Sequence, residues 1–198
     1  MSCWSLTAVR SNSSCKTRLS ECLSLQRRIE LVSAMLGHVI SVLCQAEGVD
    51  QVAVVSPERT ALPESVFFLD DPGGGLNEAL TAAALEARRN GADRLLIVHA
   101  DLPLLRAEEV AALVEASRVA EVAIAPDRWE RGTNALCLTW QSRLRFEFGP
   151  GSFLRHMSQM SERGISPAVV RLPGLAFDLD EPADLRCWSG NREGVIFA

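Results

Sequence analysis

The chain has 198 residues, 47% of them hydrophobic and 23% charged, with a formal net charge of −5. That length and balance suit one globular domain with a sizeable core. The acidic balance gives no support to nucleic-acid binding, and no apolar run is expected to cross a bilayer. The opening Met1-Ser2-Cys3-Trp4 lacks the basic flank and apolar stretch of a secretory signal, so a cytoplasmic protein is expected. Cys3, Cys15, Cys22, Cys44, Cys137 and Cys187 form no Cys-x-x-Cys pair. They read as reduced, mostly structural residues in apolar surroundings. His38, His99 and His156 show no zinc-type spacing.

Residues 3–9 alternate weakly and read as a first strand. The polar stretch from Arg10 to Leu19 follows, with Arg10, Lys16 and Arg18 among small side chains. Small residues let a backbone approach an anion, and the cations supply countercharge. The stretch is either a phosphate-gripping loop or a solvated basic loop. It is not a Walker loop, because glycines and the G-K-[ST] ending are missing. Ser24 precedes a helix whose Ile29, Val32, Met35, Leu36, Val39, Ile40 and Leu43 share one face. Val52–Val55 and Val66–Leu69 are the next two strands. Asp70-Asp71-Pro72-Gly73-Gly74-Gly75-Leu76-Asn77 then crosses into a helix that runs to Asn90 and stops at Gly91. Three glycines before a helix are costly in entropy and make sense where backbone passes close to a ligand. Asn77 can match donor and acceptor positions of a nucleobase. The alternative is a flexible loop with an ordinary cap.

The run from Arg94 to Leu102 has no alternation, so it reads as a strand buried on both faces, ended by Pro103. Asp101 therefore sits at the carboxyl end of a central strand, the edge where open α/β sheets bind ligands. It either holds a hard cation beside phosphates or caps the helix beginning near Arg106. A helix over 108–118, a strand over 121–125, a turn over 128–134 and a strand over 135–138 follow. Phe146 to Phe153 is a second glycine-rich crossing, with Ser152 at the expected N-cap of a helix carrying Phe153, Leu154, Met157 and Met160. Such a terminus is an anion site. His156, one turn inside the helix, either faces the site or lies on the surface, the surface being the expectation, and Gly164 ends the helix. Residues 168–172 are the last strand. Asp178 and Asp180 alternate with apolar neighbours, so an extended backbone points both to one side. They are either a pair for a divalent cation or, with Asp180 or Glu181 as cap, the lead-in to a final helix over 183–188 opened by Pro182.

Strands alternate with helices, without repeats or linkers. The expected architecture is a single α/β domain over residues 1–189, a mostly parallel sheet flanked by helices, with a loosely held tail over 190–198.

Six stretches in order carry a resemblance: Lys16-Thr17-Arg18-Leu19, Gly75-Leu76-Asn77-Glu78-Ala79-Leu80, His99-Ala100-Asp101-Leu102-Pro103, Gly132-Thr133-Asn134-Ala135-Leu136, Phe148-Gly149-Pro150-Gly151-Ser152-Phe153 and Phe177 to Leu185. Together they resemble the 2-phospho-L-lactate guanylyltransferases, including the phosphoenolpyruvate and 3-phosphoglycerate versions, of coenzyme F420 biosynthesis. The resemblance implies a Rossmann-like nucleotidyltransferase fold, GTP as co-substrate, Mg2+ as cofactor and a homodimer. It implies that Arg10, Lys16 and Arg18 grip the GTP phosphates, with Lys16, Arg18 and Asp101 carrying catalysis. Gly74, Gly75 and Asn77 would lie near the guanosine. Asp101 and one or both of Asp178 and Asp180 would hold the metal, and Thr133, Gly149 and Ser152 the acceptor. Family members often carry Pro-x-Lys where this chain has Ala8-Val9-Arg10. The planar guanidinium of Arg10 is not equivalent to a lysine there. The competing readings are a related nucleotidyltransferase with a molybdopterin or sugar-phosphate acceptor, and a non-catalytic nucleotide-binding protein of this fold.

Overall fold

A computed structural model describes residues 2–9, 16–59 and 61–190; Arg10 lies outside them, as does the tail from 191. Seven strands form one sheet in the order β3-β2-β1-β4-β6-β5-β7. They are β1 (Cys3–Ala8), β2 (Gln51–Ser56), β3 (Val66–Asp70), β4 (Arg94–Val98), β5 (Val122–Pro126), β6 (Thr133–Thr139) and β7 (Ala168–Val169). The helices are α1 (Leu25–Gln45), α2 (Leu76–Arg89), α3 (Ala107–Ala120), α4 (Ser152–Glu162), α5 (Pro173–Ala176) and α6 (Pro182–Gly190). β1 pairs in parallel with both β2 and β4, β2 with β3, and β5 with β7; β6 runs antiparallel to both its neighbours. The sheet is thus mostly parallel, as its apolar strands imply.

Every residue of β4 is buried, which is what a run without alternation requires of a strand covered on both faces. The pleat of β2 divides its side chains. Val52 and Val54 join Val39, Leu43, Leu113 and Val114 of α1 and α3 on one face. Ala53 and Val55 join Leu80, Ala83, Phe153 and Met160 of α2 and α4 on the other. The strand order reverses between β1 and β4, so the crevice outside their carboxyl ends is the topological switch point of the sheet.

Three expectations change here. α1, 21 residues long, is long and apolar enough by length and composition to cross a bilayer. Its Leu31, Met35, Leu36, Val39, Ile40, Val42 and Leu43 are buried, so its apolar content is that of a core helix. β7 stops at Val169 instead of running to Leu172; the Val170 amide still donates to Ile124, but Pro173 then opens α5. Of the five described cysteines, all unpaired, Cys3 and Cys137 are buried while Cys22, Cys44 and Cys187 are exposed.

Candidate active site

Three segments meet at the switch point: the turn after β1, the residues that follow β4 and the 177–180 segment. The turn after β1 carries Lys16, whose backbone is left-handed at φ 43°. A single 3-10 turn, Thr17–Leu19, follows it. Leu19 is buried with Leu31 and Met35 of α1, Leu179 and Trp188, a small core that fastens this turn to the 177–180 segment. The Leu179 amide donates to the Asp101 carbonyl at 3.0 Å. That one bond sets Asp178 and Asp180 on either side of a residue tied to the end of β4.

The Lys16 ammonium donates to Asp101 Oδ2 at 2.6 Å and to Asp180 Oδ1 at 2.5 Å. Two carboxylates far apart in the chain therefore face one nitrogen. Burial disfavours the lysine charge, but Asp101 and Asp180 outweigh it and hold its pKa above the ordinary value. Burial likewise pushes the Asp101 carboxyl up, but Lys16 and then His99 pull harder and hold it below the usual range. Among the described residues no such cation faces Asp178. Burial, then the charges of Asp101 and Asp180, push it up to about 6, which places it in the same electrostatic cluster. The Asn134 amide donates to it over a long 3.5 Å.

The capping role for Asp101 does not survive, whereas Glu181 does hold the cap position of α6, its carbonyl accepting from the Asp184 and Leu185 amides. Arg106 is the N-cap of α3, and its amide donates to the Glu109 carboxylate at 3.2 Å, so Asp101 caps nothing there. Before α6 it is Asp184 that reaches back, accepting from the amides of Asp180 at 2.9 Å and Glu181 at 2.8 Å. Asp184 also pairs with Arg128. The Asp180 carboxylate is thereby left for the site.

The other expected residues lie along the same edge of the sheet. Arg18 is 65% exposed and meets Glu181 only at 3.8 Å, a pair that contributes little and leaves the guanidinium available. Gly73, Gly74 and Gly75 all have positive φ, a succession that L side chains rarely adopt. Gly75 caps α2 without a side chain. The Asn77 amide does not stand free to match a nucleobase. Its nitrogen donates to the Phe148 carbonyl at 3.1 Å and its oxygen accepts from the Phe148 amide at 2.7 Å. It clips the two glycine-rich crossings together.

The second crossing also differs from expectation. Gly151, at φ 74°, is the N-cap, and Ser152 is the first helical residue, buried. The Ser152 amide donates to Gly149 and the Phe153 amide to Arg131, so those two are not free for an anion. Thr133 opens β6 and is completely buried. Its hydroxyl meets the ring of His156, which is also completely buried, not on the surface. α4 turns that position toward the sheet because Phe153, Gln159 and Met160 on the same side pack inward.

With this geometry in view, known proteins provide the comparison. Residues 4–188 match the family described as guanylyl transferase CofC like. The chain belongs to this family. A phosphoenolpyruvate guanylyltransferase of Sphaerobacter thermophilus is 44% identical over 183 residues, 90% of this chain and 88% of that one. A 2-phospho-L-lactate guanylyltransferase of Methanosarcina mazei is 38% identical over 173 residues, 86% of this chain and 78% of that one. A solved structure from Desulfovibrio desulfuricans G20, assigned as a nucleotide-diphospho-sugar transferase, superposes with a TM-score of 0.79 at 18% identity. It covers 98% of this chain and 90% of that one. A 4-diphosphocytidyl-2C-methyl-D-erythritol synthase superposes at 0.64 and 17% identity, covering 94% and 96%. These structural likenesses establish the nucleotidyltransferase fold.

The carboxylates of this guanylyltransferase chain suit a hard cation. Asp101 Oδ1 is buried without a hydrogen-bond partner among the described residues, and all three donors are carboxylate oxygens. Among the described residues no three acidic, imidazole or thiol groups form a ready-made cage. A hard cation held by these carboxylates would draw the rest of its shell from waters and phosphate oxygens. Sequence reasoning missed Asp184 and gave no role to Asn134. The spacing of Asp184 three residues after Glu181, just inside a proline-opened helix, was the available signal for the first.

Proposed function

We propose that this chain moves GMP from GTP to a small phosphorylated carboxylic acid, releasing pyrophosphate, in coenzyme F420 biosynthesis. The observation that carries the reading is the meeting of Lys16, Asp101 and Asp180, with Asp178 beside them, in a chain of the CofC-like family. Relatives at 44% and 39% identity are named phosphoenolpyruvate guanylyltransferases, which makes phosphoenolpyruvate the first acceptor to test. 2-Phospho-L-lactate and 3-phosphoglycerate come next.

The acceptor's phosphate monoester is already anionic, so its attack on the α-phosphorus needs no general base. The obstacle is repulsion between two polyanions, and electrostatic stabilisation is the remedy. Magnesium, when bound, would neutralise part of this charge and align donor with acceptor. Asp101, Asp178 and Asp180 would hold it. The Lys16 ammonium, relieved of its carboxylates, would turn to the phosphates and join Arg18 in stabilising the departing pyrophosphate. Arg10 would add a third cation from the same loop. Gly74 and Gly75 would border the guanosine without side-chain obstruction, with Asn77 holding that wall in place. Thr133, Gly149 and Ser152 would take the acceptor's phosphate and carboxylate, Ser152 through its hydroxyl because its amide is bonded to Gly149.

The test is incubation of the purified chain with GTP, magnesium and each acceptor in turn, reading pyrophosphate release and product mass. A guanylylated acid with equimolar pyrophosphate is expected from at least one. GTP unchanged with all three rejects the reading. A melting shift with GTP and magnesium but no turnover would favour a non-catalytic nucleotide-binding protein.

A further inference from the structure

Both nitrogens of the buried His156 ring are engaged. Nδ1 lies 3.0 Å from Thr133 Oγ1, and the main-chain amide of Glu147 donates to Nε2 at 3.1 Å. An amide N–H can only donate, so Nε2 presents a lone pair. A neutral imidazole with a bare Nε2 carries its proton on Nδ1. Burial holds this ring's pKa down to about 4, so it is neutral at physiological pH. The Phe148 ring stands edge-on to it at 5.0 Å and fixes its plane.

The tautomer decides what Thr133 can offer. With Nδ1–H donating, the hydroxyl oxygen accepts, and its own hydrogen is released to point elsewhere. With the opposite tautomer the hydroxyl would spend that hydrogen on the ring and present only lone pairs, which repel an anion. We propose that His156 is a positioning residue of the acceptor site, which fixes the Thr133 hydroxyl as a donor to an anionic phosphate or carboxylate oxygen of the acceptor. This rests on the reading of Thr133 as an acceptor ligand. The same ring ties the start of the second glycine-rich crossing, through Glu147, to the first residue of β6. Thr133 itself is completely buried at the start of β6.

The test is steady-state kinetics on the full chain for wild type, Thr133→Val, His156→Phe, His156→Asn, His156→Gln and the double variant Thr133→Val/His156→Phe, with melting temperatures alongside. Asn places an amide nitrogen near the Nδ1 position and can donate to Thr133; Gln places its amide near Nε2 and cannot. Thr133→Val and His156→Phe are each expected to raise the acceptor KM about tenfold, the scale of one lost charge-assisted hydrogen bond, with the GTP KM nearly unmoved. The double variant should be no worse than either single, and His156→Asn should recover most of the loss. Additive losses in the double variant, a GTP KM that rises in step with the acceptor KM, or rescue by Gln as good as by Asn would each overturn the proposal. Should His156→Phe fail to fold, the Asn and Gln pair still decides. A wild type that turns over no phosphorylated acid overturns the functional reading and this inference with it. A working wild type whose variants keep its acceptor KM overturns this inference alone.

Discussion

Among the described residues Asp101 Oδ1 is buried without a hydrogen-bond partner, while its other oxygen holds Lys16. That asymmetry is what a metal ligand needs, one oxygen committed to geometry and one to the ion. Asp101→Asn should keep the fold and lose on the order of 10²–10³-fold in turnover, the scale for removing one electrostatic stabiliser. Pyrophosphate release and melting temperature measured together check it, and unchanged turnover at saturating magnesium would reject the role. Asp178 behaves differently because no cation among the described residues offsets its charge. Asp178→Asn removes one of three neighbouring negative charges, so it should raise the melting temperature in chelator and abolish the rise that magnesium gives wild type. Lys16→Met does the reverse in chelator. It leaves Asp101 and Asp180 facing each other and should lower stability by roughly 2 kcal/mol, less than a fully buried pair because Asp180 is part-exposed. Magnesium should restore it. Asp101 was legible from sequence, because an apolar run ending in Asp-x-Pro announces a strand edge. Its pairing with Lys16 was not, because the bond joins residues 85 apart in the chain.

At the scale of elements, the two glycine-rich crossings act as one unit. Asn77 clips them through both Phe148 backbone groups. Asn77→Ala leaves a part-buried amide and carbonyl without partners and should cost about 1–3 kcal/mol in urea unfolding. Asn77→Asp keeps only the acceptor half and should fall between. Periodicity located α1, α2 and α3 to within a residue or two, because one apolar stripe per helix is a local property. The start of α4 was misread by one position, since Ser152 looks like a cap and only the φ of Gly151 shows where the chain turns. His156 was assigned to the surface because a histidine among Arg155, Ser158 and Glu162 reads as polar. Its burial depends on the partners that Thr133 and the Glu147 amide provide from other elements.

Taken whole, the chain reverses its strand order between β1 and β4, and the Lys16 turn and Asp101 follow those two strands. Alternating strands and helices foretold the parallel sheet; the antiparallel insertion of β6 was not foretold, because no local pattern distinguishes a buried strand's direction. The molecule should also lose stability in acid through His156. Its folded pKa of about 4 lies below the usual 6.5, so the folded state favours the neutral ring. That contribution is complete above pH 6.5 and lost as pH falls toward 4, up to about 3 kcal/mol across the window. The urea midpoint of wild type should fall over this range more steeply than that of His156→Asn. The central claim is that Asp101, Asp178 and Asp180 share one divalent cation beside bound GTP. Manganese is the spectroscopic stand-in, and electron paramagnetic resonance of Mn2+ titrated into the chain with GTP measures it directly. One tightly bound ion per chain is predicted for wild type, with affinity sharply reduced in Asp101→Asn, Asp178→Asn and Asp180→Asn alike. Binding of the same ion with undiminished affinity in those variants would contradict it.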